Sequence, residues 1–321
     1  MNCFKNAHIV AGFLTLALFI AWIPAAGWAQ ESDAVEAPED VVDPAKVVQV
    51  ELVANTTAVE AGRPLKLGVR FKIAPEWHIY WSNPGETGLD TKVELVEFTN
   101  GKATEVLYPT PIKFISPGPL LSYGYSDETM LVIPVTPELS DPAAKEVTFK
   151  VKARWLMCKD RCIPGKKELT LTLPVGTAKP VNEALFDRFA RLSPEAGAAP
   201  GTEVVAKREG KELTVELTVR PADDAAVVAA DGKGMTPAFF FPQKIKGLEW
   251  QNPVLPEPDA KVATASGEVV AYTKPFVIKV KGSLSGEAAE VVSVGGVLVL
   301  QQWTKADGVK PARAWNVLVK P

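Results

Sequence analysis

Short runs in which apolar and polar side chains alternate recur along most of this chain, and they leave room for little besides β-structure. VVQVEL, PLKLGVRFKI, EWHIYW, TKVELVEF, TMLVIPV, EVTFKVKARW and ELTLTLPV succeed one another between Val47 and Val175. Each is rich in β-branched or aromatic residues, and Pro, Gly, Asn and Asp bound them. Successive side chains of a strand point to opposite faces, so a period of two marks a half-buried strand, and closely spaced turn signals argue for an antiparallel sandwich. The pattern changes once. Val181, Ala184, Leu185, Phe189 and Leu192 fall at helical spacing, with Asn182 as an N-cap and Pro194 as a stop, before a Pro/Ala/Gly-rich stretch from Ser193 to Gly201. Strands resume with KELTVELTVR, PAFFFP, EVVAYT, PFVIKVKG, GGVLVLQQW and AWNVLVK. The expectation is an all-β protein of two β-sandwich domains, 47–178 and 203–321, joined by a helix and linker over 179–202. LKLGVRFKI and LTVELTVR are alike enough to hint at duplication.

The N-terminus reads as a targeting signal. Lys5 is the only charge before Glu31, Ile9 to Ile23 is almost wholly apolar, and Gly27 and Ala29 form a small-x-small exit. That is a secretory signal peptide over 1–29. An uncleaved inner-membrane anchor is the competing reading, because no charge interrupts Asn6 to Gln30. Residues 31–45 carry six acidic groups and no basic one, so 30–46 is expected to be a disordered acidic tether. Cleavage removes Cys3 and His8. Cys158, Cys162 and His78 then remain, in an exported and oxidising compartment, the periplasm. The longest later apolar run, Val291 to Leu300, has strand length and two glycines, so no further membrane span is expected. A formal charge of −3, from 35 basic against 38 acidic residues, gives no footprint for nucleic acid. G-x-S-x-G, H-E-x-x-H, P-loop and G-x-G-x-x-G motifs are all missing from the sequence.

The segment from Trp155 to Gly165, WLMCKDRCIPG, carries the candidate chemistry. Residues four apart on an extended strand lie roughly 13 Å apart, whereas a disulfide needs Cα atoms about 4.4–6.8 Å apart. Lys159-Asp160-Arg161 must therefore turn back if the cysteines are bridged, most naturally between strands ending at Trp155 and starting near Glu168. Closing so short a loop is worth about 2 kcal/mol, against about 4.7 for a 100-residue loop, so the bridge suits opening and closing better than stapling. Arg154, Lys159, Arg161, Lys166 and Lys167 outnumber Asp160 and Glu168, and nearby cations favour thiolate. Lys159 and Arg161 are the expected tuning residues. Cys162, between Arg161 and a Pro-Gly turn, is the expected attacking sulfur. Cys158, after Trp-Leu-Met, is its resolving partner. An inert loop disulfide remains open as the plain alternative.

Two further segments stand out. In WHIYWSNPGETG, alternation puts Trp77, Ile79 and Trp81 on one face and His78 and Tyr80 on the other, before an Asn-Pro-Gly turn. Trp77, His78, Tyr80 and Trp81 read as a supporting aromatic cluster, with a satisfied core histidine the simpler role for His78. In SPGPLLSYGY (116–125), two prolines and two glycines demand a loop, yet it carries two leucines and two tyrosines, which need something to cover.

Taken in order, WHIYWSNPGETGLD, YPTPIKF, YGYSDETMLVIPV and ARWLMCKDRCIPGKKELTLTLPV resemble the N-terminal periplasmic domain of the DsbD family of thiol:disulfide interchange proteins, in its ScsB-like branch. The resemblance is close over about 47–175 and looser to the C-terminus. It implies immunoglobulin-like sandwiches, with Cys158 and Cys162 shuttling electrons from a separate membrane thiol transporter or thioredoxin-like reductant to oxidised periplasmic proteins, and a link to copper or oxidant tolerance. By motif order, 117–125 would be a cap loop shielding the pair, with Leu120, Leu121, Tyr123 and Tyr125 as its covering side chains. The family's membrane and thioredoxin-like domains have no counterpart before Pro321, so the reductant is expected to be another chain. No cofactor is expected. Three functions stay open: an electron carrier; a copper-binding module using Met157, Cys158 and Cys162 with His78; and an interaction module with a static disulfide.

Overall fold

The computed structural model describes residues 43–321 apart from 97, 99, 117, 231–237, 266 and 286–292. The expected signal peptide and nearly all of the acidic tether lie outside the described residues. The end of the expected tether is not unstructured: Pro44–Val47 form a helical turn, α1, started by Pro44 and by the Asp43 carboxylate, which accepts the Ala45 N–H at 3.0 Å. Val47 is already buried there.

The alternating runs become strands because each can bury one face. They are β1 (Val48–Ala54), β2 (Leu65–Ile73), β3 (His78–Gly85), β4 (Lys92–Val96), β5 (Gly101–Ala103), β6 (Ile112–Ser116), β7 (Leu120–Ser126), β8 (Glu128–Pro137), β9 (Glu146–Cys158) and β10 (Cys162–Pro174). One sheet has the order β1-β2-β8-β5 and the other β10-β9-β3-β7-β6, with β4 also paired to β9. All these pairs are antiparallel. Leu67, Val69 and Phe71 of β2 meet Ile79 and Trp81 of β3 and Phe149, Val151, Trp155 and Met157 of β9 in a common core. The all-β, immunoglobulin-like sandwich is thus observed.

The helix does not hang between domains. α2 (Glu183–Arg191) presses Phe186 and Phe189 onto Met130, Val53 and Val132 on the outer face of the first sheet. Gly68 makes room for that contact, since a Cβ there would lie 2.5 Å from the Met130 sulfur. Asn182 takes the N-cap position with φ +58° but makes no side-chain cap, because its Nδ2 instead donates to the Ala54 carbonyl at 2.9 Å.

Nor are the two sandwiches merely tethered. In the strand Ala238–Pro242, Phe239 and Phe241 enter the first core with Val297 and Val299, while Phe240 faces the second core with Leu217, Ile278 and Leu298. Phe241 packs edge-to-face on Tyr123 at 5.1 Å and on Trp81 at 6.3 Å. Asn83 Nδ2 donates to the Pro242 carbonyl at 2.7 Å. Asn83-Pro84-Gly85 accordingly ends β3 instead of forming the expected turn, and its pairing with β7 shifts register between Tyr80 and Gly85. Beyond the linker, the two sandwiches meet through the three-stranded sheet of Ala238–Pro242, Val294–Leu300 and Arg313–Val319, which places side chains in both cores.

Candidate functional site

The cysteines sit at the facing ends of β9 and β10, the longest hairpin of the first sandwich. The register pairs Cys158 with Cys162, Met157 with Ile163, Leu156 with Pro164 and Trp155 with Gly165. Only Lys159, Asp160 and Arg161 turn the corner, and the Lys159 N–H donates to the Arg161 carbonyl at 3.3 Å. The strands therefore run further than the sequence suggests, and Pro164-Gly165 lies within β10 and not in a turn. A proline is tolerated there because β10 is an edge strand, and Gly165 is required because the Trp155 ring occupies the space a Cβ would take, at 2.2 Å. The disulfide is formed, with Cα atoms 4.2 Å apart.

The two sulfurs have unequal surroundings. Cys158 is 2% exposed, whereas Cys162 is exposed at the hairpin tip. Parity explains this. Val147, Phe149, Val151, Ala153, Trp155 and Met157 face the core, so Cys158, one residue on, lies on the outer face with its register partners Cys162 and His78. Ser126 continues that row onto β7. Met157 is fully buried on the opposite face and does not join the sulfurs, which removes it from the copper-ligand set. Among the described residues no cluster of three or more His, Cys, Asp or Glu could hold a metal ion.

The aromatic cluster divides as expected. Ile79 and Trp81 enter the core with Trp77 beside them, while the His78 and Tyr80 rings meet edge-to-face at 5.2 Å on the other face. His78 is not a satisfied core histidine: its Nε2 is buried and has no hydrogen-bond partner. Burial pushes its pKa below the ordinary histidine value. The Phe114 ring stacks on it at 4.5 Å with an interplanar angle of 21°. Nothing in the sequence singled out Phe114; only the alternation of IKFIS, next to YPTP, could have placed it on this face.

The expected cap residues are placed elsewhere. Leu120 to Ser126 is strand β7, not loop, because the turn described before it is confined to Gly118-Pro119 while LLSYGYS pairs with β6 and β3. Tyr125 is paired with Ile79 and donates its hydroxyl to the Pro109 carbonyl at 2.8 Å, and Tyr123 packs on Phe239 and Phe241. Both tyrosines are core residues, and burial holds both phenols well above their usual pKa. Leu120 and Leu121 lie at the end of β7 away from Ser126, roughly 16–20 Å along the strand. The exposed Leu120 and half-buried Leu121 therefore flank the hairpin tip instead of the cysteines.

Lys159 and Arg161 lie in the turn, but the Lys159 charge is matched. Its Nζ donates to the Glu76 carboxylate at 2.8 Å, and that hydrogen bond raises the lysine pKa and lowers the carboxyl's. Glu76 holds a left-handed φ of +68° in the turn closed by the Trp77 N–H donating to the Ala74 carbonyl. An L-residue other than Gly, Asn or Asp is uncommon there. Glu76 is the second residue sequence reasoning missed.

Residues 45–174 match the family model described as "Thiol:disulfide interchange protein DsbD, N-terminal". This part of the chain is a DsbD N-terminal-like domain. No curated protein matches the sequence. Among solved structures, the chain is similar to the N-terminal periplasmic domain of ScsB from Proteus mirabilis, with a TM-score of 0.54 and 16% identity over 87% of this chain and 96% of that one. Such coverage reaches through both sandwiches, so the DsbD-like domain and its partner share the fold of that ScsB domain. The YadV chaperone (TM-score 0.21, 11% identity, 84% of this chain and 100% of that chain) and the collagen adhesin of S. aureus (0.18, 9%, 84% and 92%) are far more distant. With the disulfide in place, the DsbD N-terminal-like domain is a thiol–disulfide interchange module.

Proposed function

We propose that this protein works in the periplasm as a dithiol electron carrier, in which Cys158 and Cys162 pass reducing equivalents to oxidised partner proteins. The observation that carries the reading is the unequal pair: an exposed Cys162 and a buried Cys158 bonded across a three-residue turn of a DsbD N-terminal-like domain. In the reduced protein, the Cys162 thiolate attacks a partner disulfide, forming a Cys162–partner bond and releasing one partner thiolate. Cys158 then attacks the Cys162 sulfur, closing the domain's own disulfide and releasing the second partner thiolate. The partner gains two electrons and the domain loses them. A separate thioredoxin-like protein or membrane thiol transporter resets the pair, and export through residues 1–29 fits the similarity to a periplasmic ScsB domain. A role in copper or oxidant tolerance follows from repair of oxidised partners.

The test is a pair of variants. Cys162→Ser abolishes exchange with a small disulfide, and Cys158→Ser accumulates a mixed disulfide on Cys162 visible by mass. Parent-like exchange in both variants would refute the reading.

A further inference from the structure

The buried imidazole beside the sulfurs has a partner missing, and the chemistry of the site supplies one. His78 is the direct cross-strand neighbour of Cys158 and shares its face. Its ring is clamped between the flat of Phe114 at 4.5 Å and the edge of Tyr80 at 5.2 Å. Its Nε2 is buried without a hydrogen-bond partner, an arrangement that native proteins rarely leave unexplained. In the disulfide form Cys158 has no proton to share. Once the disulfide opens, the buried Cys158 carries a thiol proton on the residue paired across the strands with His78, whose Nε2 has no other partner.

We infer that His78 is the proton acceptor for Cys158 in the resolving step of exchange. The inference rests on the carrier role proposed above. In the mixed disulfide, the Cys158 S–H proton passes to His78 Nε2, with the ring's own proton on Nδ1. The Cys158 sulfur attacks the Cys162 sulfur, so the Cys158–Cys162 bond forms and the Cys162–partner bond breaks. Its electron pair leaves on the partner sulfur, which takes up a proton from the imidazolium or from water. Without such a base, a buried thiol of ordinary pKa near 8.5 is a poor nucleophile at neutral pH.

Burial keeps the imidazole neutral below the pH at which an exposed histidine would be protonated, while lowering its basicity. At this end of the sheet the titratable groups around it include Tyr80 on β3, Cys158 with the Lys159–Glu76 ion pair and Arg161 at the end of β9, and Asp127 after β7, while Tyr125 of β7 faces the core. Lys113 on β6 lies over Phe239, on the face away from His78.

The experiment mixes the reduced full chain with 5,5′-dithiobis(2-nitrobenzoate) and follows its yellow thiolate. The first equivalent reports attack by Cys162 and the second reports resolution by Cys158. In the parent, the resolving rate is flat from pH 8 down to about 6.5 and falls only below that. In His78→Gln and His78→Phe, the ratio of second to first rate at pH 7 drops by at least about tenfold, within the range for a lost general base. What remains of the second rate climbs about tenfold per pH unit toward the thiol pKa. A parent profile that already climbs this way overturns the inference without any variant, so misfolding of either substitution cannot shelter it. Unchanged ratios and profiles in both variants overturn it too, while leaving the carrier role intact. If the reduced parent releases no thiolate at all, the carrier role itself fails.

Discussion

Truncating Phe241 tests whether the sandwiches are one folded unit. Its ring is 1% exposed and sits in the first core while its backbone pairs with the second sandwich, Phe241 opposite Val297. Three edge-to-face contacts hold it, to Tyr123 at 5.1 Å, Trp81 at 6.3 Å and Phe239 at 4.9 Å. A buried Phe→Ala change costs about 3–5 kcal/mol, and loss of three aromatic partners puts this site toward the upper part, at about 4. With a urea m-value near 3 kcal/mol/M, the midpoint of Phe241→Ala should fall by about 1.3 M. Tryptophan fluorescence and far-UV circular dichroism should report a single coincident transition in the parent and in the variant. Phe240→Ala, whose ring enters the other core, should lower the same transition by a similar amount. Two resolved transitions in the parent, or a cost for Phe241→Ala below about 1 kcal/mol, would show that the sandwiches fold independently and that the contact through Ala238–Pro242 is incidental.

Two further outcomes follow from the site. Gly165→Ala drives a Cβ to 2.2 Å from the Trp155 ring, so the ring or the strand must move; the expected loss is about 1–3 kcal/mol by urea denaturation, and a neutral result would mean the ring relocates freely. The folded-state pKa of His78 lies below its unfolded value near 6.5, so the unfolded chain binds the extra proton. Stability should therefore fall as pH drops below about 6.5, and His78→Gln should flatten that slope; an equal slope in both proteins would assign it to other groups.

Much of this architecture can be read from the chain because alternation is a local signal. The parity of EVTFKVKARWLMC orients Trp155 and Met157 inward and Cys158 outward, and the parity of WHIYW separates Ile79 and Trp81 from His78 and Tyr80. A bridged Cys pair implies its own turn, since on an extended strand residues four apart lie too far from each other for a disulfide. What is not local stays hidden. Pro and Gly signal a turn whether they sit at a hairpin tip, as Gly118 does, or on an edge strand, as Pro164 does. Tyr123 and Tyr125 look like loop residues in search of a surface until β3 and the strand Ala238–Pro242 cover them. Phe239 and Phe241 cannot be assigned to a core by periodicity alone, because alternation names two faces without saying what each face meets. Phe114 and Glu76 reach the site only through tertiary packing and a left-handed turn.

The most direct measurement is the reduction potential of the Cys158–Cys162 couple, set by equilibrating the full chain in defined glutathione or dithiothreitol buffers and counting trapped thiols by mass. A short bridge with one exposed sulfur, built to be opened by a partner, should titrate above about −300 mV. A couple that stays oxidised well below that potential would mark a structural staple, and the electron-carrying account would be wrong.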